Sequence, residues 1–63
     1  MNEQLLTIEQ VADRLQVHPR TVQAWLRSGE LAGIRLGSGR TAAWRIEPSA
    51  LQAYLDKNRA RPE

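Results

Sequence analysis

Apolar residues recur at helical spacing in three short stretches of the chain. Ile8, Val11, Ala12 and Leu15 fall at i, i+3, i+4 and i+7, which places them on one face of a helix. Val22, Trp25 and Leu26 repeat the spacing, and so do Leu51, Tyr54 and Leu55. Between the second and third stretches the period shortens to two. Ile34 and Leu36 alternate about Arg35, and Trp44 and Ile46 about Arg45. β-Branched and aromatic residues at that period predict two short strands. A Gly-rich, flexible loop over 37–43 joins them. The hairpin is expected to turn Ile34, Leu36, Trp44 and Ile46 to the core, and Arg35 and Arg45 away from it.

The helix starts share one device. Thr7 and Gln10 have the spacing of a capping box, with Leu6 and Val11 as the hydrophobic staple around it. The second helix has His18 at the cap and Pro19 at the first helical position, where no N–H is needed. Val17 and Val22 form its staple. The third has Glu47, then Pro48, with Ile46 and Leu51 as the staple. His and Glu are poor cap residues, so the prolines and staples carry more of this prediction than the cap side chains. Gly29 is a natural stop for the second helix. The polar stretch Asn58 to Glu63 is expected to be a frayed, disordered tail.

The predicted order is therefore helix, tight turn, helix, strand, strand, helix. It is a mainly α (α+β) architecture. Only Gln16 and Val17 separate Leu15 from the second cap, and so tight a link forces two short helices to cross at a large angle. With 63 residues, a single domain is expected over 1–63, with its core in about 5–57.

Composition narrows the function. A chain this short is not expected to enclose both a core and a catalytic cavity, since roughly 300 Å³ is the lower end for a ligand pocket. It has no cysteine and a single histidine, His18, so no thiolate site, metal cage or Ser-His-Asp set is expected, nor a cofactor. An enzyme is not expected. No apolar run approaches the ~18 residues of a membrane span. The residues Met1 to Gln4 lack the features of a signal peptide. A cytoplasmic location is the expectation.

Net charge is +2, and eight of the nine basic residues are Arg. The distribution matters more than the total. Residues 1–13 carry Glu3, Glu9 and Asp13, a net −3. Residues 14–45 carry Arg14, Arg20, Arg27, Arg35, Arg40 and Arg45 against Glu30 alone, a net +5. The remainder is neutral. Duplex DNA presents about one phosphate charge per 1.7 Å of axis, so its binders need clustered cations. The positive block here covers the second helix and the hairpin.

The stretch Glu9 to Leu26 resembles a helix-turn-helix signature. Ala12 is the small residue where the helices touch, and Val22 and Trp25 are the buried positions of the second helix. With Leu31 to Gly37, Trp44 to Ile46 and Leu51 to Leu55, the chain resembles the MerR-like, excisionase-type winged helix-turn-helix family over residues 5–57. In that likeness the second helix is a recognition helix and the hairpin a wing. Gln16 stands where helix-turn-helix proteins often have Gly, and a left-handed backbone there would cost it about 1 kcal/mol. The wing loop is longer than a minimal turn.

The resemblance implies double-stranded DNA as partner. Arg20, Thr21, Gln23, Ala24 and Arg27 are the outward positions of the second helix. Arg20 matches guanine O6/N7 and Gln23 matches adenine. Thr21 suits a phosphate or a thymine methyl, and Arg27 the backbone. Arg40 at the wing tip suits a narrow minor groove. Arg35 and Arg45 are phosphate candidates on the hairpin, and His18 is one at the helix start. Trp25, Trp44 and Tyr54 sit at apolar spacings and are expected in the core.

The resemblance further implies an excisionase (a recombination directionality factor) or a small MerR-like transcriptional regulator. Such a protein would be nucleoid-associated in a bacterium or encoded by a phage or mobile element. A full MerR sensor would need a long dimerisation helix after the winged part. One module reads only a few base pairs, so several copies are expected to bind cooperatively, head to tail. A recombinase or RNA polymerase is a further expected partner. The alternative is a protein-interaction adaptor that docks a recombinase, a polymerase or a toxin.

Overall fold

The computed structural model describes residues 4–59. The expected tail therefore lies partly outside the described residues. The element order is α1 (Ile8–Leu15), α2 (Pro19–Ser28), β1 (Ile34–Leu36), a single 3₁₀ turn (Gly39–Thr41), β2 (Ala43–Arg45) and α3 (Pro48–Lys57). This is the architecture of a winged helix-turn-helix.

Each helix begins where its local chemistry directs. Gln10 N–H donates to Thr7 Oγ1 at 3.1 Å, and Thr7 N–H donates to Gln10 Oε1 at 2.9 Å. Two orphan donors at the start of α1 are thereby satisfied reciprocally. At the start of α2 the Arg20 N–H donates to His18 Nδ1 at 3.0 Å. His18 is thus a working cap, more than its ranking among cap residues suggested. Glu47 makes no side-chain cap bond to α3, which begins on Pro48.

The turn between α1 and α2 is closed by backbone bonds. Val17 N–H donates to Ala12 O at 3.0 Å and Gln16 N–H to Asp13 O at 3.3 Å. That geometry needs a left-handed residue, and Gln16 supplies it with φ 57° and ψ 47°. Gly29, φ 86°, ends α2 in the same way without a Cβ penalty.

The core lies between the crossed helices, the hairpin and α3. Among the described residues it comprises Leu6, Val11, Ala12, Val22, Leu26, Leu31, Ile46 and Leu51. Trp25, Trp44 and Tyr54 pack against it half-buried. The Trp25 and Tyr54 rings lie 4.8 Å apart, tilted by 33°. Burial, and then the negative charge of Glu30, push the Tyr54 phenol up from its ordinary value. Gly33 sits where a Cβ would come within 2.5 Å of Leu26 Cδ2 and 3.2 Å of the Trp44 ring, so a larger residue there would have to displace the Leu26 side chain and press on Trp44.

Two features differ from the expectations. The hairpin pairs Ile34 with Arg45, Arg35 with Trp44 and Leu36 with Ala43. Directly opposed residues share a face. Arg35 therefore lies with Trp44, and Ile34 and Leu36 lie with Arg45 on the outer face. Ile34 is 37% exposed and Leu36 45%, the reverse of the expected core positions. Trp44 and Ile46 do face the core. The second feature is a pair of bonds between Leu6 and Ile46, each N–H donating to the other's O at 2.8 Å. The segment before α1 is thereby bridged to Ile46, the residue that follows β2.

The 37–43 loop, expected to be flexible, contains a 3₁₀ turn over 39–41. Asn58 and Arg59 are held to the end of α3. Asn58 Nδ2 donates to Tyr54 O at 2.9 Å and Arg59 pairs with Asp56 at 3.0 Å.

Candidate nucleic-acid interface

The outward face of α2 carries Arg20, Gln23, Ala24, Arg27 and Ser28. Their spacing of three, four, seven and eight residues aligns them in one stripe. Together they line an open hollow of about 360 Å³. The stripe is available because Val22 and Leu26, on the opposite face, are taken up by the core. Arg20, Thr21 and Arg27 are exposed, and Gln23 is half-buried.

A second groove, of about 210 Å³, runs between the start of α1, the middle of α2 and β2. It is lined by Ile8, Glu9, Gln23, Ala42, Ala43, Trp44 and Arg45. Gln23 belongs to both concavities and marks the junction between α2 and the hairpin. Glu9 brings a carboxylate to this otherwise cationic side. Neither Glu9 nor the alanines announced themselves in sequence. Their position depends on how the hairpin docks, which no local pattern encodes.

The other expected contacts spread across the same molecule. His18 is exposed and its Nδ1 is committed to the cap. Arg40 is exposed on the 3₁₀ turn. The Arg35 guanidinium carbon lies 5.9 Å from the centroid of the Trp44 ring, within cation–π range. Arg45 is half-buried, and its Nη1 donates to the Trp44 carbonyl at 2.8 Å.

Charge pairing leaves these cations available. Glu30, the acidic residue within the basic block, accepts a bond from Ser28 Oγ at 3.2 Å. The ion pair among the described residues is Arg59 with Asp56, in α3 and beyond. No carboxylate of the described residues is paired with Arg20, Arg27, Arg35, Arg40 or Arg45. Charge-assisted contacts to phosphate oxygens or guanine are what unpaired guanidinium forks do best.

No group of acidic, His or Cys side chains among the described residues could hold a metal ion. No helix of the described chain is long and apolar enough to cross a membrane.

A family model described as a helix-turn-helix domain matches residues 5–59. No curated protein sequence matches the chain.

Proposed function

The chain belongs to the helix-turn-helix domain family, among its small excisionase-like and MerR-like modules, and is a DNA-binding protein; from that premise we propose that it reads duplex DNA by sequence through α2 and the hairpin together. The observation that carries this reading is the stripe of Arg20, Gln23 and Arg27, exposed along one side of α2 without a carboxylate partner.

In this reading the N-terminal half of α2 enters the major groove, as recognition helices do. Arg20 forks onto guanine O6 and N7, and Gln23 onto adenine N6 and N7. Thr21 meets a phosphate or a thymine methyl. Arg27 meets the backbone a turn later. Arg40, carried on the 3₁₀ turn, enters the minor groove, where narrow tracts concentrate negative potential. Arg35, Arg45 and His18 take phosphates.

A single module of this size buries about 600–1,000 Å² on DNA, too little for high affinity and high selectivity at once. Several copies therefore bind side by side, head to tail, each strengthening the next. A protein of this kind serves as a recombination directionality factor or as a small transcriptional regulator, working with a recombinase or RNA polymerase at the assembled site.

Selection from a pool of random duplexes with the purified protein tests this. The expected result is an enriched motif, repeated at a fixed spacing, bound with a Hill coefficient above one. Recovery of no preferred sequence would remove the sequence-reading role. Recovery of a single unrepeated motif, bound without cooperativity, would remove the assembly.

A further inference from the structure

The corrected hairpin register leaves an unusual edge. Three large apolar side chains stand exposed among the described residues, Leu5, Ile34 and Leu36. Two of them belong to the three-residue strand β1. That strand pairs with β2 on one side only, and no strand of the described residues lies along its other side. Alternate residues of a strand direct their N–H and C=O to opposite edges. The outer edge of β1 therefore presents main-chain donors and acceptors to any strand laid beside it.

A strand added there would meet a definite pattern. On the outer face it would find Ile34 and Leu36, each opposite one of its own residues. On the other face it would find Arg35, held over the Trp44 ring. Added strands gain affinity from main-chain bonds and specificity from alternating side-chain positions. The complement of apolar–cationic–apolar is apolar–acidic–apolar.

Charge decides between possible occupants. A second copy of β1, laid antiparallel in the register that matches Ile34 to Leu36, would set Arg35 against Arg35. Like charges directly opposed are destabilising, and a charge at the middle of an edge is a known guard against self-pairing. A duplex backbone would satisfy Arg35 but would leave Ile34 and Leu36 against phosphates. An extended acidic segment satisfies all three.

We infer that the open edge of β1 is a docking strand for an extended segment of a partner protein, with two apolar residues flanking an Asp or Glu. This goes beyond DNA recognition and gives the module a separate handle for a protein working at the same DNA. Arg35 is the residue that both surfaces share. Ile34 and Leu36 belong to the protein-docking edge alone.

The probe is a library of short random peptides with blocked ends, selected on the purified protein. The expected consensus alternates apolar, acidic, apolar, and the best peptide shifts the backbone amide signals of residues 33–37. The double variant Ile34→Thr, Leu36→Thr keeps strand-forming side chains. It should lose peptide affinity by about tenfold or more and bind duplex DNA unchanged. Arg35→Glu should reverse the preference, so that the peptide with Lys in place of its acid binds better than the original. A consensus without the acidic position, shifts confined to another element, or a double variant that binds peptide as well as the parent would each overturn the inference.

Discussion

His18 Nδ1 accepts the backbone N–H of Arg20 at 3.0 Å. One side chain thus fixes both the first turn of α2 and the backbone of the residue assigned to guanine. His18→Ala should lower stability by about 0.5–2 kcal/mol, the usual loss for a removed cap. His18→Asn should retain most of it, because Asn also caps. Urea denaturation of the three proteins checks this. Equal midpoints for the parent and His18→Ala would show that the bond contributes nothing.

Gln16 occupies a conformation that suits glycine. Its φ of 57° is set by the turn between α1 and α2. Relief of the left-handed strain, about 1–2 kcal/mol, exceeds the extra chain entropy that Gly brings, about 0.5–1 kcal/mol. Gln16→Gly should therefore stabilise the protein by about 0.5–1 kcal/mol, read as a higher urea midpoint at unchanged slope. A lowered midpoint would mean that the Gln side chain holds the turn in another way.

Arg20 and Arg40 should differ in kind when removed. Arg20→Ala should weaken binding to the preferred duplex by about 1–3 kcal/mol and relax the preference at one base position. Arg40→Ala should weaken binding more evenly across sequences and reduce its dependence on salt. Binding measured across a panel of single-base variants separates the two. Identical profiles for both variants would contradict the division of labour between helix and wing.

Asp56 supplies a pH signature. The Gln52 amide first, and then Arg59, donate to its carboxylate and hold it below its ordinary value of 3.8. A lowered folded-state value means stability that is fully present above 3.8 and is lost as pH falls through the lowered value. The end of α3 should loosen in that acid window. A carboxyl titration followed by NMR should show Asp56 titrating low, and Asp56→Asn should flatten the acid response of α3. The same acid response in Asp56→Asn would assign it elsewhere.

How far these features could be seen in sequence depends on how local their causes are. The helix starts were legible at Thr7, Pro19 and Pro48 because caps and first turns involve residues three or four apart. The division of the second helix between core and surface is legible too, since Val22 and Leu26 share a face at helical period. The hairpin was not. Alternation shows which residues of one strand share a face, but not which face the partner strand brings to meet it. Pairing Ile34 with Arg45 joins residues of unlike parity, and a shift of one position inverts every side chain. The turn at 39–41 sets that register, and its conformation was not written in the alternation. The basic stripe could be read because it is helical. The groove that joins it to the wing could not, because Glu9, Gln23 and Ala43 meet only after the hairpin docks.

The pair of bonds between Leu6 and Ile46 also says something about motion. A two-stranded ribbon held only by its chain connections to α2 and α3 would swing on them, and its tip would sweep a range of positions. Fastening the segment before α1 to the residue after β2 closes the base of the ribbon like a clasp. The distance from the tip of the wing to α2 then becomes a property of the protein rather than of whatever it touches. A removal or fusion that disturbs Leu5 or Leu6 would thus act on the reach of Arg40 without altering the turn that carries it.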